Sequence, residues 1–220
     1  MRRIDKISLH GLLPRAFAGV ACRQSVEVSQ VWLGELTFNR GKRYILTAGS
    51  GSGKSSLCSY IYGNRSDYEG TILFNGDDIS RFGHSRWSEM RMRHIALLPQ
   101  EMRLFPELTV LENIELKNRL TRFKTAGEIM DMLALLEIAD KTAEPVARLS
   151  IGQQQRVALV RALCQPMDFL ILDEPVSHLD AHCNRLAALL VESEAARQEA
   201  AVIVTSVGNA LSIEAQPIKL

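Results

Sequence analysis

The chain has 220 residues, 46% of them hydrophobic and 23% charged, enough apolar material for the core of one ordinary domain or two small ones, which excludes disordered and low-complexity architectures. Lys and Arg number 26 against 25 Asp and Glu, a net charge of +1, so there is no overall basic field of the kind that coats nucleic acid, and any polyanion has to be held locally. No uninterrupted apolar run is long enough to span a bilayer.

Near the N-terminus, Arg2 and Arg3 precede an apolar patch over 12–22 that ends in a lipobox-like Gly19-Val20-Ala21-Cys22. Pro14 and Arg15 interrupt the patch and Asp5 precedes it, which argues against a cleaved export signal. Alternation over 31–38 predicts a strand, Asn39-Arg40-Gly41 a turn, and 43–48 a buried strand. A glycine-rich loop follows, then an apolar helix opening near Ser52. Residues 71–75 read as a further strand closed by Asn75-Gly76-Asp77. His84, Arg86, Arg91, Arg93 and His94, with Trp87, Met90 and Met92, form a locally basic stretch; so short a block reads as a solvated helix face before a buried strand rather than a nucleic-acid site. That strand, 95–99, runs into Gln100.

From 101 to 163 the apolar residues recur at helical spacing, first Leu108, Val110, Leu111, Ile114 and Leu116, then Ile129, Met132, Leu133, Leu136 and Ile138. Thr125 with Glu128 makes a capping box for the second helix. Residues 169–172 return to buried strand, 181–194 to helix and 201–205 to strand. Strands alternating with helices imply an α/β fold with a largely parallel sheet and a helical insertion. Cys22, Cys58, Cys164 and Cys183 are scattered without metal-site spacing and read as ordinary reduced thiols; His182 and Cys183 beside Asp180 lack further ligands for a metal.

Chemistry concentrates in three places. Ala48-Gly49-Ser50-Gly51-Ser52-Gly53-Lys54-Ser55 lies between a strand and a helix. Its glycines let successive N–H groups turn toward phosphate, Lys54 reaches the β and γ phosphates, and the Ser55 hydroxyl, followed by Ser56, can ligate Mg²⁺. Phe169-Leu170-Ile171-Leu172-Asp173-Glu174 sets two carboxylates at the end of a buried strand, where ligands of open α/β sheets sit. Asp173 would hold Mg²⁺ and Glu174 would polarise the attacking water. Leu149-Ser150-Ile151-Gly152-Gln153-Gln154-Gln155-Arg156 opens a helix with a Ser150/Gln153 capping box, leaving a hydroxyl and N–H groups as an anion site.

The first stretch resembles the P-loop, or Walker A motif, and the third resembles the signature of ATP-binding-cassette (ABC) ATPases. Gln100 is similar to that family's Q-loop and Ser177-His178-Leu179-Asp180 to its D-loop, so four motifs stand in order along nearly the whole chain. The resemblance implies a P-loop NTPase core of RecA-like ABC type over 1–100 and 164–220, with an antiparallel β subdomain, and a helical signature subdomain over 101–163. It implies ATP and Mg²⁺ as cofactors. Glu174, Gln100, Lys54 and Ser206 would be catalytic. Gly49, Ser50, Gly51, Ser52, Gly53, Lys54, Ser55, Ser56, Ser150, Gly152, Gln153 and Asp180 would contact nucleotide, and Ser55, Gln100 and Asp173 the metal. The implied partners are a second ABC ATPase, identical or not, and a membrane permease, with peripheral localisation on the cytoplasmic face and no nucleic acid. A coupling helix of the permease would lie against 100–108, where Met102, Leu104, Phe105 and Leu108 cluster.

The sequence departs from the family pattern at Ala48, at Ile151 and at Ser206, which follows the last core strand where a γ-phosphate histidine is expected. No aromatic for the adenine lies within 18–31; Phe17 and Trp32 flank the gap as packing residues or, for Phe17, as a stacking ring. The 105–114 stretch is most similar to ATPases of lipoprotein release and macrolide efflux. Two other readings stay open at this point: a non-transport clamp or signalling ATPase, and a degenerate subunit that binds ATP with little hydrolysis.

Overall fold

The computed structural model describes residues 3–17, 26 and 29–220. In chain order, its first elements are β1 (Lys6–Pro14), β2 (Glu35–Asn39), β3 (Arg43–Thr47), α1 (Lys54–Ile61), β4 (Tyr68–Phe74) and β5 (Asp77–Asp78). There follow α2 (His84–Arg93), β6 (Ile95–Leu98), α3 (Val110–Asn118), α4 (Ala126–Leu135) and α5 (Ile151–Leu163). The chain ends with β7 (Phe169–Asp173), α6 (Ala181–Gln198), β8 (Ala201–Ser206) and β9 (Gln216–Lys219).

Strand β8 is buried at every position because it is the centre of a sheet ordered β6-β7-β8-β3-β9. All of that sheet's pairings are parallel. Parallel strands covered on both faces need apolar residues throughout, and the period of two sorts them. Leu98, Leu170, Leu172, Val202 and Val204 join a core with Ile114, Leu133, Val160 and Val191 of the helices. Ile95, Phe169, Ile171, Ala201 and Ile203 face a second core with Leu57 and Ile61 of α1 and Ile7, Leu9, Phe38 and Ile72 of the other sheet. That other sheet is antiparallel, in the order β2-β1-β4-β5.

The strand expected over 31–38 begins only at Glu35. Ser29 Oγ accepts from the N–H groups of Val31 and Trp32, at 3.0 and 2.9 Å, and so holds the preceding residues in a turn. The strand expected from Thr71 begins instead at Tyr68, because β4 continues past a bulge in β1 between His10 and Leu13. Of the apolar patch over 12–22, Leu12, Leu13 and Pro14 belong to β1. Ala18 to Cys22 lie outside the described residues.

Both capping boxes read from the sequence form, and a third, Thr109 with Glu112, opens α3. At α4, Glu128 accepts from the Thr125 N–H at 2.8 Å and from Arg197 at 2.8 Å. The Thr125 backbone bond first, then Arg197 and the Thr125 hydroxyl, hold this carboxyl down from 4.5 to about 2. A carboxyl with a depressed folded value contributes stability that is complete above about pH 4.5 and lost as pH falls toward about 2. Glu128→Gln is therefore expected to lower the urea midpoint near neutrality, with the gap to the parent closing across that interval. A gap independent of pH would contradict the assignment.

Candidate active site

Because β6, β7, β8 and β3 are parallel neighbours, their carboxyl ends share one edge of the sheet. Gln100, Asp173 with Glu174, Ser206, and the loop after Thr47 all emerge there. The loop turns through Gly51 and Gly53, at φ 78° and 94°, a region that strains residues bearing a Cβ. Gly53 is required twice over, since an added Cβ would lie 2.8 Å from Trp32 and 3.3 Å from Phe17. Trp32 is buried and its indole donates to Ser52 O at 3.1 Å, so it is a packing residue that fixes the loop. Phe17 stands edge-on to it and lines the cavity.

Helix α1 starts at Lys54 with no side-chain cap. Its first N–H groups and its positive end are thereby left for an anion. The cavity before it, about 250 Å³, is lined by Ser50, Gly51, Gly53, Lys54, Ser55, Ser56, Gln100, Glu174 and Phe17. Gly49 lies beside it, its carbonyl accepting from Lys54 Nζ at 2.7 Å, and Ala48 O accepts at 3.1 Å. Burial pulls the Lys54 ammonium below its ordinary value, against the opposing pull of Glu174 and Asp173. Ser52 is buried, with its Oγ unpartnered among the described residues.

The acids are held by a residue that sequence reading passed over. Thr205 Oγ1 donates to Asp173 Oδ1 at 2.6 Å and accepts from the Glu174 N–H at 3.2 Å. Glu174 sits at φ 52°, a left-handed conformation that a non-glycine residue adopts only under outside constraint. Its carboxylate accepts from Gln100 Nε2 at 3.2 Å, and Gln100 Oε1 in turn accepts from Ser55 Oγ at 3.3 Å. Lys54 Nζ stands 4.0 Å from Glu174. Ser55, Gln100, Glu174, Thr205 and Asp173 are thus joined in one hydrogen-bonded chain, with the Lys54 ammonium beside it.

A second group stays apart from this cavity. Ser150 Oγ accepts from the Gln153 N–H at 3.3 Å, and Gln153 Oε1 accepts from the Ser150 N–H at 2.9 Å. Gly152 packs so tightly on the Ser177–Asp180 turn that a Cβ would lie 2.9 Å from His178 O. Gln155, also unrecognised from sequence, donates to Glu174 O at 3.0 Å and accepts from the His178 N–H at 3.0 Å, tying α5 to both. Asp180 caps α6 through the Cys183 N–H at 2.7 Å, which holds its carboxyl below the usual range. None of Ser150, Gly152, Gln153 and Asp180 lines the P-loop cavity.

The family model for ABC transporters matches residues 34–177. The chain belongs to the ABC transporter family. The ATP-binding protein YtrE of Bacillus subtilis is 32% identical over 160 residues, covering 71% of this chain and 69% of that protein. The lipoprotein-releasing ATP-binding protein LolD 1 of Chlorobium chlorochromatii is 31% identical over 175 residues, 77% of this chain and 71% of its own. Among solved structures, the dimeric MJ0796 bacterial ABC transporter cassette superposes with a TM-score of 0.78 over 97% of this chain and 94% of its own, at 24% identity, a likeness of fold.

This ABC ATPase is accordingly an ATP-binding, ATP-hydrolysing transporter subunit. Its departures from the family pattern have defined settings. Ile151, the first residue of α5, is 47% exposed, so its branched side chain is not crowded within the chain. Ser206 pairs with Thr47 in the ladder and is buried, its Oγ unpartnered among the described residues. Cys58 and Cys164 are buried thiols raised by desolvation, Cys164 to about 12. Cys22 lies outside the described residues. His182 meets Glu137 at 2.9 Å, and no cluster of His, Cys, Asp or Glu among the described residues suits a metal. No described helix is long and apolar enough to cross a membrane.

Proposed function

We propose that this ABC ATPase works as half of a head-to-tail pair, with ATP between the P-loop of one copy and Ser150, Gly152 and Gln153 of the other, and that closure of the pair drives a membrane permease. The observation that carries this reading is the separation just described, in which both halves of the site are fully formed yet do not meet within one chain. The dimeric state of the MJ0796 cassette supports it. In this reading 101–163 is the signature subdomain, and Asp180 contributes at the seam between copies.

The roles follow from the contacts. Backbone N–H groups of 49–55 and the start of α1 bind the phosphates, with Ser50, Ser52 and Ser56 lining or supporting that cradle and Lys54 bridging the terminal two. Mg²⁺ fits an all-oxygen set of Ser55 Oγ, Gln100 Oε1 and the Asp173 carboxylate, and when bound it neutralises charge on the phosphate oxygens. Glu174 accepts the proton of the attacking water, whose oxygen bonds to the γ-phosphorus as the bond to ADP breaks. Gln100 steers that carboxylate through its 3.2 Å bond. Ser206 offers at most one hydrogen bond to the γ-phosphate, so turnover is slow. Lys54→Ala is expected to abolish ATP binding in equilibrium dialysis while leaving the circular-dichroism spectrum unchanged; retained affinity would remove Lys54 from the site.

The permease reading rests on a groove between the Gln100 loop and α3, a cavity of about 250 Å³ lined by Tyr62, Leu97, Pro99, Phe105 and Leu116 among others. Of the four apolar residues expected there, Met102 is buried and Leu104 packs on the core, whereas Phe105 is 53% exposed. In this reading Phe105, an exposed aromatic at the mouth of an apolar groove, is the anchor, and truncation of such anchors costs about 2 kcal/mol or more. Phe105→Ala is expected to weaken permease association and leave the isolated protein's melting temperature and ATP affinity unchanged. Loss of fold without selective loss of association would assign Phe105 to the core. Such docking makes the protein peripheral on the cytoplasmic face, and the LolD relatives support a cargo class of the lipoprotein-release kind.

A further inference from the structure

The groove at Phe105 contains an electrostatic imbalance. Lys117 of α3 lies on its wall with Arg161 of α5, and both are partly buried. Lys117 Nζ donates to Arg91 O at 3.2 Å, and Arg161 donates to the carbonyls of Met102 and Arg103. Arg91 likewise donates to the carbonyls of Tyr62 and Gly63, at 3.2 and 2.7 Å. No carboxylate pairs with any of these three cations among the described residues. The contrast within the molecule is direct: Lys124, with 1% of its side chain exposed, meets Glu194 at 2.6 Å. Burial, reinforced by the charge of Arg161, brings the Lys117 ammonium down to about 8. A desolvated cation without a counter-charge is a cost that a partner's anion can relieve.

The shape of the surface identifies the kind of anion. Lys117 is shared with a second cavity, about 530 Å³, on its other side, where Phe82, Trp87, Met92 and Leu120 are apolar. The Arg91 guanidinium stands over the Trp87 ring at 5.2 Å and joins that wall. Leu116 near the end of α3 and Leu120 just beyond it are 44% and 55% exposed. Two apolar hollows flanking one lysine suit a length of polypeptide with apolar residues on each side of an acid, and not a small free anion, which would leave both hollows wet.

We propose that the groove receives a cytosolic segment of the permease whose apolar residues fill the hollows beside Phe105 and Trp87 and whose aspartate or glutamate pairs with Lys117. This rests on the permease-docking reading and adds the charge that selects the partner. Arg161 and Arg91 surround the incoming carboxylate, while Lys117, with one of its three N–H donors engaged among the described residues, receives it.

The test uses the full chain with p-benzoylphenylalanine in place of Leu116, irradiated on membranes of the source cells, and sequencing of the cross-linked peptide. The expected peptide is a cytosolic segment of an integral membrane protein with an Asp or Glu within a few residues of the cross-link. Lys117→Met is then expected to reduce recovery of that membrane protein by about 30-fold or more. The isolated variant should keep its ATP affinity and melt no lower than the parent. Lys117→Glu should also lose binding and regain it when the partner's acid is changed to lysine. A cross-linked membrane segment without an acid, or undiminished binding by Lys117→Met, overturns the charge pair and leaves permease docking standing. Cross-links solely to a second copy of this chain or to soluble proteins overturn both. Unfolding of both Lys117→Met and Lys117→Gln would make Lys117 a structural residue and overturn the pairing.

Discussion

Glu174→Gln is expected to lower steady-state ATP hydrolysis by about 10²- to 10⁴-fold, the range for removing a positioned general base, while leaving ATP binding intact. Glutamine preserves the side chain's shape and can still accept from Gln100 Nε2, now 3.2 Å from the carboxylate. It removes the proton acceptor alone. The bonds from the Glu174 N–H to Thr205 involve only the backbone of residue 174 and are kept, so its conformation at φ 52° is expected to persist. Phosphate release and nucleotide binding, measured on the same preparation, separate the two effects. Hydrolysis within about tenfold of the parent would assign the proton to another group and overturn the role given to Glu174.

Ser206→His is expected to act in the opposite direction, raising kcat by about 10- to 1,000-fold, the scale of one hydrogen-bond donor to a developing oxyanion. Ser206 ends β8 and pairs with Thr47, the residue from which the P-loop departs, so it stands at the sheet edge that carries the cavity. The present Oγ is buried and unpartnered among the described residues, which means that the change sacrifices no hydrogen bond seen here. Melting temperature is the control for fit. An unchanged or lower kcat in a variant that melts like the parent would mean that the site is not degraded at this position.

The order of strands and helices was legible because strands covered on both faces must be apolar at successive positions, as in 169–172 and 201–205. β1 and β9 were not recognised, for opposite reasons. β1 is broken by a bulge near Gly11, which spoils its alternation; β9 is an edge strand with Ile218 alone buried, leaving almost no pattern to read. The site divides in the same way. Lys54, Ser55, Glu174 and Ser150 announce themselves by local spacing, since each sits at the start of a helix or the end of a strand, where a few neighbouring residues set the geometry. Thr205 and Gln155 act across long separations through strand register and helix packing, and no local pattern carries that information. Leu104 and Met102 illustrate the converse: their clustering with Phe105 suggested a common exposed face, but the chain turns at positive φ through Met102 and Arg103, sending them into different surroundings.

The most direct test of a site shared between two copies is the mass of Glu174→Gln by sedimentation velocity, with and without saturating Mg-ATP. A variant that binds ATP but cannot turn it over should shift from monomer to dimer on adding nucleotide, and Ser150→Ala in the same chain should weaken the shift without reducing ATP binding to the P-loop. A protein that binds Mg-ATP and stays monomeric at every concentration, alone and with its membrane partner present, would contradict the head-to-tail pair of identical chains.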